Sequence, residues 1–459
     1  MNRLALLVAG AFFMEFLDGT IIVPALPHMA ASLGTTAVGL QAAVSAYMLT
    51  VAVCILPSGW LAQRYGVRPV FTLAVVLFTA ASALCGWSQS PGAFVAARVL
   101  QGVGGAMMVP VGRLAVLRST PKDRIVHAMA LLTWPALSAP LVGPPLGGFL
   151  ADYLSWRWIF LVNLPLGVVA TLLSLRLMPD VRDPARPPFD WVGFAWAAAA
   201  IAAASVVFDF LADRSASAAS VAVPALVAVL ATALLWRHIR RHAHPIVELS
   251  AFRIQTFRLS LLEGTGMRVL ISAMPFLLPL MIQLGWGRSA SEAGTLTLAL
   301  FVGNIGIKPL TTPIMRRWGF RTVLFVNGLV QAASMALCAL LGPGVPLPVV
   351  LAAFVLAGAS RSMQFTALNT LIYADVPERT MGMANLLFSV AFQLAAGFGI
   401  AAGAVVLRAW AASAGHSAPL LADFHGTLLT LAVLMAAASL RVLTLPVDAG
   451  AVVSGAGRR

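Results

Sequence analysis

The sequence predicts an all-α integral membrane protein of 14 transmembrane helices, arranged as two six-helix bundles with two extra helices between them. Three observations predict it. The chain is too apolar for a soluble fold, its apolar runs have the length of membrane spans, and its arginines collect on alternate connections.

Apolar residues make up 60% of the 459 and charged residues 10%, with mean hydropathy +0.91. That balance makes lipid the solvent, and the structural unit a run of about 20 apolar residues, enough to cross a core about 30 Å thick. Runs near 4–26, 39–62, 69–88, 92–117, 127–150 and 157–178 form a first set. Two more lie near 190–211 and 219–236. A last set lies near 257–284, 292–315, 322–342, 347–373, 382–407 and 425–444. The domains expected are therefore a bundle over 1–178, two linking helices and a cytoplasmic loop over 179–256, and a second bundle over 257–459. The first run is long, contains acids and ends in "VPALP" without a small-residue cleavage pattern, so it reads as an uncleaved span rather than a signal peptide.

The 28 arginines and 2 lysines leave a net charge of +14. With the N-terminus inside, 21 of these cations fall in cytoplasmic segments, among them Arg64, Arg68, Lys122, Arg124, Arg182, Arg186, Arg316, Arg317, Arg321, Arg379, Arg458 and Arg459. Only 4 (Arg157, Arg214, Arg288 and Arg408) fall outside. The bias predicts both termini in the cytoplasm. Clusters placed between spans are topology signals, which argues against nucleic acid as a partner. Five cations remain within spans: Arg98, Arg113, Arg268, Lys308 and Arg361. Cys54, Cys85 and Cys338 are far apart inside apolar runs and read as small buried residues rather than a disulfide or metal framework.

An internal repeat supports the two sets. "RYGVRPV" (64–70) recurs as "RWGFRTV" (317–323), each between the second and third helices of its set. "TPKDRIVHAMALL" (120–132) echoes "VPERTMGMANLL" (376–387) with a one-residue shift. Repeated halves around a central cavity are a common construction of secondary transporters.

Four stretches in order then stand out: "LDGTIIVPALP" in the first helix, "GWLAQRYGVRP" after the second, "RVLQGVGGA" in the fourth and "GPPLGG" in the fifth. "SWRWIFLVNLPLG" enters the sixth. Over nearly its whole length the chain resembles the major facilitator superfamily, and within it the fourteen-span drug:proton antiporters of the EmrB/QacA type. The resemblance implies two bundles that alternate access and a proton gradient as energy source, with no cofactor. It also implies export of small lipophilic or cationic compounds across a bacterial inner membrane, by a monomer.

By that resemblance "GWLAQRYGVRP" is a cytoplasmic hinge, with Gly59 for close helix approach, Gly66 for a tight turn, and Arg64 and Arg68 available to helix ends or carboxylates. Gln63 stands where the family usually has an acid, which puts an acid-to-arginine latch there in doubt. In "GPPLGG", Gly143, Gly147 and Gly148 suit close packing and Pro144 bends the helix. The motif is associated with exporters, although a plain packing kink fits its chemistry equally.

Intramembrane charges mark function by default. Asp18 and Arg98 lie at similar depth in their helices, and by resemblance Arg98 tunes the proton affinity of a nearby acid. A static buried ion pair is the alternative. Glu15 lies one turn from Asp18 on the same face, so two acids would let a cationic substrate and a proton compete. Arg113, near the inner end of the fourth helix, reads as snorkelling to the interface. Glu263 is the main acid of the second half and a candidate second proton site; it is five residues from Arg268, a spacing that does not favour pairing. Gln101, Arg361, Gln364 and Asn369 are candidates for the substrate cavity. The histidines of "RHIRRHAH" (237–244) read as part of a solvated basic loop. The sequence has neither a phosphate-binding glycine loop nor a hydrolase constellation, which leaves no sign of ATP use or of an enzyme. A proton-coupled nutrient importer on the same fold is the alternative to export.

Overall fold

Where the hydrophobic runs meet, the chain turns on glycine. Gly66 (φ 100°, ψ 152°) and Gly319 (φ 71°, ψ 164°) take nearly the same left-handed conformation, one in each copy of the repeated loop. A side chain with a Cβ is strained there, so glycine is what lets consecutive helices reverse within one residue. The computed structural model describes residues 3–119, 125–179, 188–211, 217–242, 245–246, 249–446 and 449. Of the cations and histidines named above, Lys122, Arg124, Arg182, Arg186, Arg214, His244, Arg458 and Arg459 lie outside these residues, as does the start of the second repeated stretch; the side chain of Arg379 does too.

Regular structure among the described residues is helical. The first of two compact units covers Met1–Ile246 together with Ser289–Gly294, and the second covers Val247–Arg288 and Thr295–Arg459. The first contains α1 (Arg3–Ile21), α2 (Leu26–Leu33), α3 (Gln41–Tyr65), α4 (Val67–Trp87), α5 (Pro91–Ser119), α6 (Ile125–Tyr153), α7 (Trp158–Leu161), α8 (Asn163–Leu177), α9 (Trp191–Leu211) and α10 (Ala218–Arg241). The second contains α11 (Gln255–Ser272), α12 (Met274–Leu280), α13 (Ala290–Gly306) from Thr295 on, α14 (Lys308–Cys338), α15 (Leu347–Leu371), α16 (Glu378–Ser413) and α17 (Leu421–Arg441). Pro24 and Pro27 of "VPALP" break the first span into α1 and α2, because proline withholds a backbone donor.

Twelve helices among the described residues are long and apolar enough to cross a membrane. The fifth expected span is α6, of 29 residues. The tenth is divided: α13, with 17 residues, gives way at Ile307 to the first part of α14, and Gly319 then separates that part from the eleventh.

Each bundle is tied at the same joint. Arg68 Nε donates to the carbonyl of Met178, just past α8, at 2.7 Å. Arg321 Nη2 donates to the carbonyl of Leu443, just past α17, at 2.8 Å. The last carbonyls of a helix lack internal partners and carry its negative end, so a guanidinium is a fitting cap. Arg64 is exposed and stacks 5.6 Å from the Trp60 ring. The close approach expected at Gly59 is absent among the described residues: a Cβ there would meet nothing within 4 Å.

The α9–α10 pair packs with the first unit. Trp60 of α3 meets Phe189 at 5.0 Å and Trp191 at 5.8 Å between ring centroids. Asp190 fastens the pair. Its Oδ1 accepts from the Gly193 amide at 2.8 Å and lies 2.7 Å from His238 Nε2, and its Oδ2 accepts from the Ile246 amide at 3.0 Å. His238 thus belongs to a clip rather than to a solvated loop. His242, one turn on, brings the possible ligand atoms of Asp190, His238 and His242 within 4.8 Å of one another, but Asp190 is already engaged by two amides and an imidazole.

Burial alone would raise the Asp190 pKa; the two amides and His238 outweigh it and hold the carboxyl below its ordinary value. A carboxyl whose pKa is depressed by folding stabilises above its unfolded value of about 3.9, and that contribution disappears as pH falls through the lower native value. Asp190→Asn is therefore expected to loosen α9 from α10 at neutral pH by about 1–3 kcal/mol. Native-state hydrogen exchange of the α9 amides should show the loss, with a smaller difference between variant and wild type at about pH 3.

Candidate proton-coupling site

The polar centre of the first unit is assembled from four helices. α1 supplies Asp18, α4 supplies Ser82, α5 supplies Arg98 and Gln101, and α8 supplies Asn163. Arg98, Gln101 and Ser82 are fully buried, and Asp18 and Asn163 are 1% exposed. Arg98 Nη1 donates to Asp18 Oδ2 in a short charged contact and to Gln101 Oε1 at 2.5 Å. Gln101 Nε2 donates to Asp18 Oδ1 and lies the same 2.8 Å from Ser82 Oγ. Asn163 Nδ2 reaches Asp18 Oδ1 at 3.2 Å.

Both carboxylate oxygens are thus held, one by a cation and the other by two amides. Charged donors and a surround of neutral dipoles are what allow an ionised pair to persist away from water. The Tyr47 ring lies 4.1 Å from the guanidinium carbon of Arg98 and adds its electron-rich face. Arg98 keeps Nε and Nη2 without hydrogen-bond partners, so the pair is tightly enclosed but not saturated.

Glu15 is buried one turn along α1, with its Oε2 lacking a partner. Arg113 lies within electrostatic range of Glu15 and 6.0 Å from the Phe12 ring. Arg113 itself is exposed near the inner end of α5.

Other sequence candidates fall elsewhere. Gln101, expected in a substrate cavity, is enclosed in the Asp18–Arg98 centre. Gln364 is also fully buried: its Oε1 accepts from Asn327 at 2.7 Å and its Nε2 reaches the Leu324 carbonyl at 3.2 Å. Glu263 is not beside Arg268 but 3.4 Å from Arg441 at the end of α17, a partly exposed ion pair. Arg268 and Asn369 are joined, Nη2 to Oδ1, at 3.0 Å. Phe12, Met107, Met108 and Phe276 are all buried. An apolar cavity of about 730 Å³ lies between α1 and α8, lined by Leu6, Gly10, Phe13 and Leu173.

"GPPLGG" is a notch in α6. A Cβ on Gly147 would stand 1.9 Å from the Ile21 carbonyl oxygen of α1, and one on Gly143 would stand 2.3 Å from Thr20 Oγ1. On its other side, a Cβ on Gly148 would stand 2.2 Å from the Ala290 carbonyl oxygen, within the Ser289–Gly294 segment of this unit. Pro144 presents its own carbonyl to that segment, 2.2 Å from where a Gly294 Cβ would be.

Ser82, Asn163 and Tyr47 were not singled out by sequence. Asn163 lies in the stretch "SWRWIFLVNLPLG", and Tyr47 is one of only four tyrosines, set in the middle of a span. Ser82 carries no distinguishing signal.

Comparison with known proteins fits this arrangement. Residues 8–400 match the profile of the Major Facilitator Superfamily. The chain belongs to that superfamily. It is 40% identical over 406 residues to a Pectobacterium carotovorum subsp. carotovorum protein named "Putative multidrug resistance protein MdtD", covering 87% of this chain and 86% of the relative. A protein of the same name from Yersinia enterocolitica is 37% identical over 454 residues, covering 97% and 95%. Among solved structures, a D-xylose–proton symporter superposes with TM-score 0.69 at 14% identity, covering 98% of both chains. An auto-inhibited POT family peptide transporter does so with TM-score 0.72 at 13% identity, covering 96% of both. At such identities the superfamily transporters share the fold; the substrates in their names remain theirs.

Proposed function

We propose that this major facilitator protein is a proton-coupled multidrug exporter of small lipophilic compounds in a bacterial inner membrane. It works as a monomer with both termini in the cytoplasm, and the proton gradient is its energy source. The relatives named for multidrug resistance support export, and the arginine bias supports the orientation. The observation that carries proton coupling is the buried Asp18–Arg98 pair joining α1 to α5. Protonation of Asp18 removes the negative charge that Arg98 meets, so proton binding weakens the contact that joins α1 to α5 and is thereby linked to their movement. Glu15, with a free oxygen one turn away, is the group through which a proton reaches or leaves Asp18.

Inside-out vesicles with an acidified lumen and a pH-sensitive dye test the reading. Adding compounds from a panel of lipophilic cations, dyes and antibiotics is expected to release lumenal protons in proportion to transporter content. Vesicles that accumulate the compounds without proton movement would overturn proton coupling. A panel of which no compound accumulates in the vesicles would overturn export, and label carried toward the cytoplasmic side would favour the importer.

A further inference from the structure

The second unit has a charge pattern opposite to that of the first. Arg268 of α11 is 1% exposed, and its Nε and Nη1 have no hydrogen-bond partner. Its Nη2 donates to Asn369, and the Phe388 ring lies 5.2 Å from the guanidinium carbon. Arg361 of α15 likewise keeps Nε and Nη1 buried and unpartnered, with its guanidinium carbon 5.4 Å from the Phe365 ring. Among the described residues neither arginine meets a carboxylate, for Glu263 is turned to Arg441 and Asp423 is held by His416 and the Leu420 amide.

The rings between them form a continuous row. Phe365 and Phe392 are 6.0 Å apart between centroids, and Phe392 and Phe388 are 5.9 Å apart. Arg361, Phe365 and Asn369 follow at four-residue intervals, so they share one face of α15 and span about 12 Å. All three phenylalanines are half-buried.

Two guanidiniums without anions inside a membrane-spanning bundle are costly, and the cost falls when an anion binds. Guanidinium is the side chain best matched to a planar oxyanion, which it can grip through two parallel N–H bonds. The phenylalanine row offers stacking area to a flat apolar body.

We propose that this face of the second unit binds organic oxyanions: a carboxylate or phosphonate on Arg361, with an attached aromatic body along Phe365, Phe392 and Phe388 toward the second guanidinium of Arg268. The inference rests on the transport reading and deepens it. Compounds handled by this chain include lipophilic anions, which composition and the acids of α1 alone would not suggest.

The test measures equilibrium binding to the purified full chain in lipid nanodiscs, with no gradient. Matched probes share a naphthalene ring: 2-naphthoate, naphthalene-2-phosphonate and 2-naphthylmethylammonium. Wild type is expected to bind at least one anion about tenfold or more tightly than the ammonium, as charge-assisted recognition provides. Arg361→Gln should reduce that anion affinity about tenfold while leaving ammonium binding unchanged, and Arg361→Lys should restore part of it. Arg268→Gln should act likewise; if that buried change impairs folding, Arg361→Gln still decides. Equal or tighter binding of the ammonium, anion binding unaffected by Arg361→Gln, or no saturable binding of either anion would each overturn the proposal. The two readings fail separately. Anion binding without proton release in vesicles would sink proton-coupled export alone. Proton release without anion preference would sink this site alone.

Discussion

Asp18→Asn is expected to abolish compound-induced proton release and to destabilise the protein by about 3–5 kcal/mol, the range for breaking one side of a buried ion pair. The cause is Arg98, fully buried and left facing a neutral amide where Asp18 Oδ2 now receives it. A second change separates the two effects. Asp18→Asn combined with Arg98→Gln removes both charges, so thermal unfolding in detergent should recover most of the loss while vesicle proton release stays absent. Recovery of coupling in the double variant, or normal coupling in Asp18→Asn alone, would move the proton site elsewhere, with Glu15 first. Undiminished stability in the single variant would show that the pair is open to water.

The second large effect is steric. Gly147→Ala places a methyl where the Ile21 carbonyl oxygen stands 1.9 Å away, and a backbone atom cannot rotate aside. Helix α1 has to retreat, at a cost of about 1–3 kcal/mol or more. Asp18 is one turn from Ile21, so the same retreat also pulls at its contact with Arg98. Gly143→Ala is the internal control: its nearest obstacle, 2.3 Å away, is Thr20 Oγ1, a hydroxyl that can swing to another rotamer. Gly147→Ala should therefore lower the unfolding temperature and transport well below Gly143→Ala. Equal effects would mean that α1 and α6 are not in close contact in the working protein.

The fold was legible because lipid imposes it: only runs of spanning length satisfy backbone groups away from water, and those runs are visible in composition. Asp18 and Arg98 were legible for a related reason, since charges are rare inside such runs. Their neutral partners were not. A glutamine or serine within an apolar helix has the same sequence appearance whether it faces a cavity or a buried carboxylate, which is why Gln101 and Gln364 read as cavity residues. Glu263 reads as an intramembrane acid because its helix is apolar, but its partner was not legible, since the cation that meets it, Arg441, lies far along the chain. The phenylalanine row escaped for another reason. Phe365 and the pair Phe388 and Phe392 lie on different helices, and no sequence periodicity reveals that they align.

The arginine ties of the two halves also separate what the repeated loops share from what they do not. Arg68 and Arg321 occupy matching places in "RYGVRPV" and "RWGFRTV", and each ends on a main-chain oxygen. A main-chain acceptor makes no demand on the side chain that carries it. Met178 and Leu443 can therefore differ in side chain while both donors are arginine and both turns are glycine. Within these two loops the donors and the left-handed turns coincide, while the residues whose backbone does the accepting differ.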